Sequence, residues 1–243
     1  NPSLLGHGEG VARLNTPTRL PSMLGGECAV SVSAGPFHSL TITADGAVWS
    51  WGQGGFGQLG HGERQEQGQL QPKKVEALTG QRIVAVSAGS YHSLAITAGS
   101  LWSWGAETLG HGDEQDQLLP KKIEALAGRR VVAVSAGAAH SLALTADSAV
   151  WSWGDGVYGR LGHGDEQNQL LPKKVEAFAA RRVVAVSAGE VHSLALTADF
   201  GRLGHGDTQN QLLPKKIEAF AGQRVVAVSA GKNHSFALTA DGS

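Results

Sequence analysis

Two short strings recur five times each along this chain, and they constrain its fold more than any other feature. Leu-Gly-His-Gly begins at Leu5, Leu59, Leu109, Leu161 and Leu203. Ser-Ala-Gly-x-x-His-Ser begins at Ser33, Ser87, Ser135, Ser187 and Ser229, in steps of 54, 48, 52 and 42 residues. All ten histidines fall in these strings, one of each kind per repeat. Leu119–Asp147 and Leu171–Asp199 agree at 24 of 29 positions. This is a tandem array with a unit near 50 residues. Periods of that size belong to stacked architectures, in which each unit buries its faces on its neighbours. Glycine numbers 34 of 243 residues, about twice the ordinary ~7%. Its cause is turn punctuation, repeated with the unit.

Within a unit the pattern is that of strands. Arg182–Ala188 reads RVVAVSA, a β-branched run suited to a buried strand. Gly189-Glu190-Val191 is a tight connection. His192–Thr197 alternates, with His192, Leu194 and Leu196 on one face. Val150–Gly154 reads VWSWG, and Trp151 and Trp153, two apart, share a face. Pro172–Ala177 fits a short edge strand, because proline is tolerated at a strand start and lysine blunts an edge. Four short antiparallel strands per unit make a β-propeller blade, so the chain is read as all-β, one propeller domain over 1–243. Its units run approximately 1–32, 33–86, 87–134, 135–186, 187–228 and 229–243, the first and last partial.

Composition narrows the function classes. Lys plus Arg total 20 against 21 Asp plus Glu, a formal net charge of −1. That gives no broadly basic surface to neutralise phosphates, so direct nucleic-acid binding is not expected. One cysteine, Cys28, allows no intrachain disulfide and reads as a small buried hydrophobe. No apolar run approaches the roughly 20 residues of a transmembrane helix.

The full pattern, V-x-V-S-A-G-x-x-H-S-L-A-L-T-A-D-G-x-V-W-S-W-G-x-G-x-x-G-x-L-G-H-G-D, is best seen at Val30–Glu63 and Val134–Asp165. It resembles the regulator of chromosome condensation repeat family over essentially the whole chain. The resemblance implies a propeller, of seven blades in a full member, where five repeats are seen here. It also implies protein partners, with a small GTPase one class among them, and a cytoplasmic or nuclear setting. The chain starts and stops inside a repeat, so it reads as a fragment of a larger protein or assembly whose true N-terminus is missing. Two units are short. Residues are expected to be missing near 98–108 and at the 199/200 junction, where the whole Trp strand of the fourth unit is absent.

Candidate chemistry is read against the repeat. Gly52–Gly57 and Gly154–Gly159 fit G-x-G-x-x-G, but a dinucleotide site needs a helix opening at the last glycine, and Leu-Gly-His-Gly follows instead. They are turns. Each unit offers two histidines far apart and no cysteine cluster, so no metal site, no cofactor and no catalytic set is expected. His38, His92, His140, His192 and His234 are read as structural, bonding nearby backbone. Trp49, Trp51, Trp102, Trp104, Trp151 and Trp153 are read as strand packing. The family's plant ultraviolet-B photoreceptor resembles a version with Trp directly after the turn glycine. Here that position holds Pro36, Ser90, Ala138, Glu190 and Lys232.

One contrast points to binding. The two residues before each histidine differ in every unit while the strands stay constant: Pro36-Phe37, Ser90-Tyr91, Ala138-Ala139, Glu190-Val191 and Lys232-Asn233. They lie on a connection and should emerge on one rim. The leading reading is a non-enzymatic interaction module or scaffold presenting that rim to proteins. Two alternatives follow from the resemblance: nucleotide exchange on a small GTPase, and an adaptor segment of a large ubiquitin ligase.

Overall fold

The β-branched run of each unit becomes the first strand of an antiparallel sheet. The computed structural model describes residues 2–9, 11, 13–20, 26–107, 109–198, 210–217, 220 and 222–241. Its first sheet runs β1 (Ala29–Ala34), β2 (His38–Thr43), β3 (Val48–Gly54) and β4 (Gln65–Lys74). The second runs β5 (Ile83–Ala88), β6 (His92–Thr97), β7 (Leu101–Gly105) and β8 (Gln117–Lys122). The third runs β9 (Val131–Ala136), β10 (His140–Thr145), β11 (Val150–Gly154) and β12 (Gln169–Lys174). Two further pairs follow, β13 (Val183–Ala188) with β14 (Ser193–Thr197), and β15 (Val225–Ala230) with β16 (Ser235–Thr239). Among the described residues no helix is long and apolar enough to cross a membrane.

The stacking order follows from who touches whom. β1, β5, β9, β13 and β15 approach one another in sequence, and each second strand lies on the first strand of the next sheet. First strands therefore gather around a common axis, as in a β-propeller. Each carries a bulge at the same place. Val183 pairs with Thr197 and Ala185 with Leu196, so Val184 is the extra residue. Val30, Val84, Val132 and Val226 repeat this. An inserted residue bends and twists its strand, and all five valines are exposed.

The turn glycine of Ser-Ala-Gly has a packing reason. A Cβ on Gly89 would stand 2.6 Å from Gly137 O, one on Gly137 2.6 Å from Gly189 O, and one on Gly189 2.6 Å from Gly231 O. Neighbouring turns are thus in backbone contact, and only glycine permits it. Overpacking such a contact costs about 2 kcal/mol. Gly137→Ala is expected to lower the urea midpoint accordingly, and an unchanged midpoint would count against this packing.

The cores lie between sheets. Leu40, Ile42, Val48, Val75 and Leu78 enclose Trp104 of the next sheet. Leu94, Ile96, Leu101, Ile123 and Leu126 enclose Trp153. On the fifth sheet Phe236 and Leu238 are 66% and 48% exposed, whereas their counterparts Leu194 and Leu196 under the following strand are 6% and 3% exposed.

Four details differ from the sequence reading. The outer strand of the third unit starts earlier, at Gln169, and ends at Lys174, and Glu176–Phe178 forms a 3-10 turn, so Val175, Glu176 and Ala177 lie outside the strand. Cys28 is exposed, just ahead of β1, because the following sheet-edge residues Ala29 and Val30 are exposed as well. Units counted from the Ser-Ala-Gly serine cut each first strand at its fifth residue. The short second unit still completes four strands, because Ala98-Gly99-Ser100 closes a tight hairpin with Thr97 N–H donating to Ser100 O at 2.9 Å. The 199/200 junction lies outside the described residues.

Candidate functional site

The repeated histidines and serines build the frame that positions the variable loops. His38 Nε2 lies 2.7 Å from Ser93 Oγ, His92 Nε2 3.0 Å from Ser141, His140 Nε2 2.9 Å from Ser193, and His192 Nε2 2.9 Å from Ser235. Each bond joins one sheet to the next. Ser33, Ser87, Ser135 and Ser187 add a second link, each hydroxyl oxygen accepting from the amide of Ala88, Ala136, Ala188 or Ala230 at 2.9 Å.

The tautomer follows from the serine. Ser93 Oγ–H donates to Gln58 O at 2.8 Å and Ser193 Oγ–H donates to Arg160 O at 2.6 Å. His38 and His140 therefore donate from Nε2–H. Their Nδ1 atoms are buried with no partner among the described residues, which is tolerable only for the neutral ring. Burial, then His92, holds the His38 pKa down to about 3. Burial holds His92 at about 4. Burial, then Arg160, holds His140 at about 3. His234 is exposed, edge-on to Phe236 with centroids 5.0 Å apart.

The second histidine of a unit pins its own loop. His61, His111 and His163 bond Ser50, Ser103 and Ser152 at 3.0, 3.0 and 2.9 Å. Those hydroxyls donate to Leu59, Leu109 and Leu161 O at 2.8, 2.8 and 2.7 Å. The six tryptophans divide in two. Trp51, Trp104 and Trp153 are buried, and Trp49, Trp102 and Trp151 are half-buried. Trp51 Nε1 donates to Leu4 O at 3.2 Å and Trp104 Nε1 to Gln58 O at 2.8 Å, so each reaches the loop of the preceding unit.

The contacts between neighbouring turns set the residues before the histidines that open the second strands at one end of the sheets. The loops after β3, β7 and β11 emerge at the same end, because His38 pairs with Gly52, His92 with Gly105 and His140 with Gly154. Pro36, Lys232 and Asn233 are exposed there, and Phe37, Tyr91, Ala138, Ala139, Glu190 and Val191 are half-buried. Ser90 is an exception: it is 7% exposed, and its N–H donates to Gly137 O at 3.3 Å.

The two ends of this row differ chemically. At one end Phe37 stacks on Tyr91, centroids 5.2 Å apart, and Phe56 meets Tyr91 edge-on at 4.9 Å. At the other, Lys232 pairs with Glu190 at 3.3 Å, while Arg160 pairs with Asp155 at 3.5 Å and donates to Glu190 O at 3.2 Å. Between them Glu107 holds a left-handed backbone at φ 70°. Burial, then Asp155, pushes its carboxyl above the usual range. Sequence reasoning missed Phe56 and Arg160. The signal available was that Phe56 and Tyr158 occupy the same place in two G-x-G-x-x-G loops. Among the described residues no three His, Cys, Asp or Glu side chains converge as a metal would require.

Comparison with known proteins agrees with this geometry. Residues 2–200 match the profile of the RCC1-like domain, and residues 198–238 that of the regulator of chromosome condensation (RCC1) repeat. The E3 ubiquitin-protein ligase HERC2 of Homo sapiens is 39% identical over 201 residues, 80% of this chain and 4% of that protein. The ultraviolet-B receptor UVR8 of Arabidopsis thaliana is 38% identical over 199 residues, 80% of this chain and 44% of that protein. The chain thus spans less than half the length of these relatives. Among solved structures, human WBSCR16 is similar with a TM-score of 0.76 at 25% identity, covering 87% of this chain and 57% of that one. Prp20p of Saccharomyces cerevisiae, studied for its binding to Gsp1p and histones, is similar in fold with a TM-score of 0.55 at 20% identity, covering 87% of this chain and 70% of that one. On the strength of the profile match and the repeated His–Ser frame, the chain belongs to the regulator of chromosome condensation repeat family, as an RCC1-like β-propeller domain.

Proposed function

We propose that the chain is a protein–protein interaction module whose docking face is the rim carrying Phe37, Tyr91, Phe56, Glu190 and Lys232. The observation that carries this is the contrast between constant strands and a connection that differs in every unit. Such a rim holds its loops on a rigid frame and varies only what a partner would touch. Phe37, Tyr91 and Phe56 supply aromatic area of the kind that dominates binding energy, and the Glu190–Lys232 end supplies orientation. The likeness to Prp20p carries the fold and not its partners.

The test is capture of partners from extract, identified by mass spectrometry. Phe37→Ser with Tyr91→Ser is expected to weaken a captured partner about tenfold or more. Ala98→Lys, at the opposite end of the sheets, is expected to leave it unchanged. Equal capture by both variants contradicts the rim assignment. Acceleration of nucleotide release from a small GTPase by the unaltered chain would instead support the exchange reading.

A further inference from the structure

The cations of this domain are treated differently at its two ends. At the rim end Arg64, Arg160 and Lys232 each pair with a carboxylate, of Asp116, Asp155 and Glu190. The opposite end is built from the hairpins at 44–47, 98–100 and 146–149 and from the links that lead into β5 and β9. Arg82, Arg129 and Arg130 stand on those links and are exposed. Among the described residues none of the three has a carboxylate within ion-pair distance. The hairpins fix their place. Ile83 N–H donates to Gly46 O at 3.2 Å, and Ala146 N–H donates to Arg130 O at 2.8 Å. Arg129 lies over the Trp151 ring at 4.5 Å, which orders the guanidinium without neutralising it.

The carboxylates of this end are engaged elsewhere. Asp45 accepts from Thr43 Oγ1 and Ala47 N–H, and Asp147 from Thr145 Oγ1 and Ala149 N–H, so both close their own hairpins. Glu124 pairs with Lys122 at 3.7 Å, and Glu76 accepts from Thr79 Oγ1 at 3.0 Å. Apolar surface lies among the arginines. Val84 and Val132, the bulge residues two places after Arg82 and Arg130, are 57% and 46% exposed. A cavity of about 280 Å³ opens between the first hairpin and the link to β5. Val48, Val75 and Leu78 line it together with Lys74 and Arg82. It is smaller than a typical ligand pocket and suits one side chain.

We propose that this hairpin end is a second docking surface, separate from the rim, and that it takes an acidic segment of a partner protein carrying aliphatic side chains. Partner carboxylates meet Arg82, Arg129 and Arg130, and one aliphatic side chain seats in the cavity beside Lys74. Arginine surrounding apolar area is the composition of an energetic interface centre. Guanidinium matches a carboxylate with paired hydrogen bonds. The exposed valines and the Val48–Val75–Leu78 cavity favour a protein over a nucleic acid, whose phosphate backbone brings no aliphatic group to fill them. The surface does not depend on the rim reading.

The probe is the fluorescein-labelled peptide Glu-Glu-Leu-Glu-Glu-Leu-Glu-Glu, titrated with the whole chain and followed by anisotropy. Saturable micromolar binding that weakens with added salt is expected. Glu-Glu-Ser-Glu-Glu-Ser-Glu-Glu, of equal charge, should bind about tenfold more weakly. Arg82→Glu with Arg130→Glu should weaken the leucine peptide about tenfold or more with an unchanged circular dichroism spectrum. Arg64→Glu, the same reversal at the rim end, should leave it unchanged. Should the double variant not fold, the comparison of the two peptides on the unaltered chain decides alone. No saturable binding, equal affinity for the two peptides, equal loss in Arg64→Glu, or tighter binding of an oligothymidylate of equal charge overturns the proposal.

Discussion

Lowering the pH from 7 to 4.5 is expected to destabilise this domain by several kcal/mol, with the loss beginning near pH 6.5. His38, His92 and His140 are buried and neutral in the fold, with pKa values of about 3, 4 and 3. In the unfolded chain a histidine takes its proton near pH 6.5. A lowered folded pKa means the unfolded state binds more protons below that value, so stability rises with pH through the window. It is complete above about pH 6.5 and falls steadily toward the folded values near 4 and 3. Each histidine contributes up to about 1.4 kcal/mol per pH unit. Three acting together remove several kcal/mol by pH 4.5, a large share of the 5–15 kcal/mol typical of a domain. His192, His61, His111 and His163 are lowered too, and add to the effect. Glu107, raised by burial, acts in the opposite direction as one half-buried group. Asp45 and Asp147, held low by Thr43 and Thr145, contribute only below about pH 4. Circular dichroism melts between pH 7 and 4.5 check this. A flat melting temperature across the window would contradict neutral buried histidine links.

The second large effect separates two residues that look alike in sequence. Trp102 and Trp104 lie two apart on β7 and share a face. Trp104 is 0% exposed, clustered with the first sheet, and its indole bonds Gln58 O at 2.8 Å. Trp102 is half-buried and packs only against the edge of that cluster. Deleting a fully buried tryptophan costs about 4 kcal/mol, from lost transfer energy and the cavity left behind. Trp104→Ala should therefore lower the melting temperature by about 10 °C, and Trp102→Ala by about 3 °C. Thermal unfolding followed by far-ultraviolet dichroism measures both. Equal losses would place the two indoles in equivalent surroundings, against the packing described.

Much of the fold was legible because it is periodic. The β-branched run read over Arg182–Ala188 and the alternation read over His192–Thr197 become strands one residue shorter, Val183–Ala188 and Ser193–Thr197, and the Val150–Gly154 strand is found as read. What spacing could not give was contact between units. The His–Ser links cross 55, 49, 53 and 43 residues of sequence, so no local pattern reveals that the serine after one histidine binds the histidine of the preceding unit. The same holds for the tryptophans: which indole is buried depends on the Gln58 loop of another sheet. The bulge at Val184 was also hidden, since register is a property of two strands. Edge-strand limits failed at Glu176 because a 3-10 turn and a strand end share the same polar composition. At the rim, the variable pairs were readable, but the approach of Phe56 to Tyr91 joins residues 35 apart in sequence and needs the fold.

The central claim is that this frame exists to present one rim. Hydrogen–deuterium exchange of the chain, alone and with a captured partner, tests it most directly. The account predicts slowed exchange at 35–37, 89–91, 137–139 and 189–191. Protection confined to the opposite hairpins, at 44–47, 98–100 and 146–149, would contradict it.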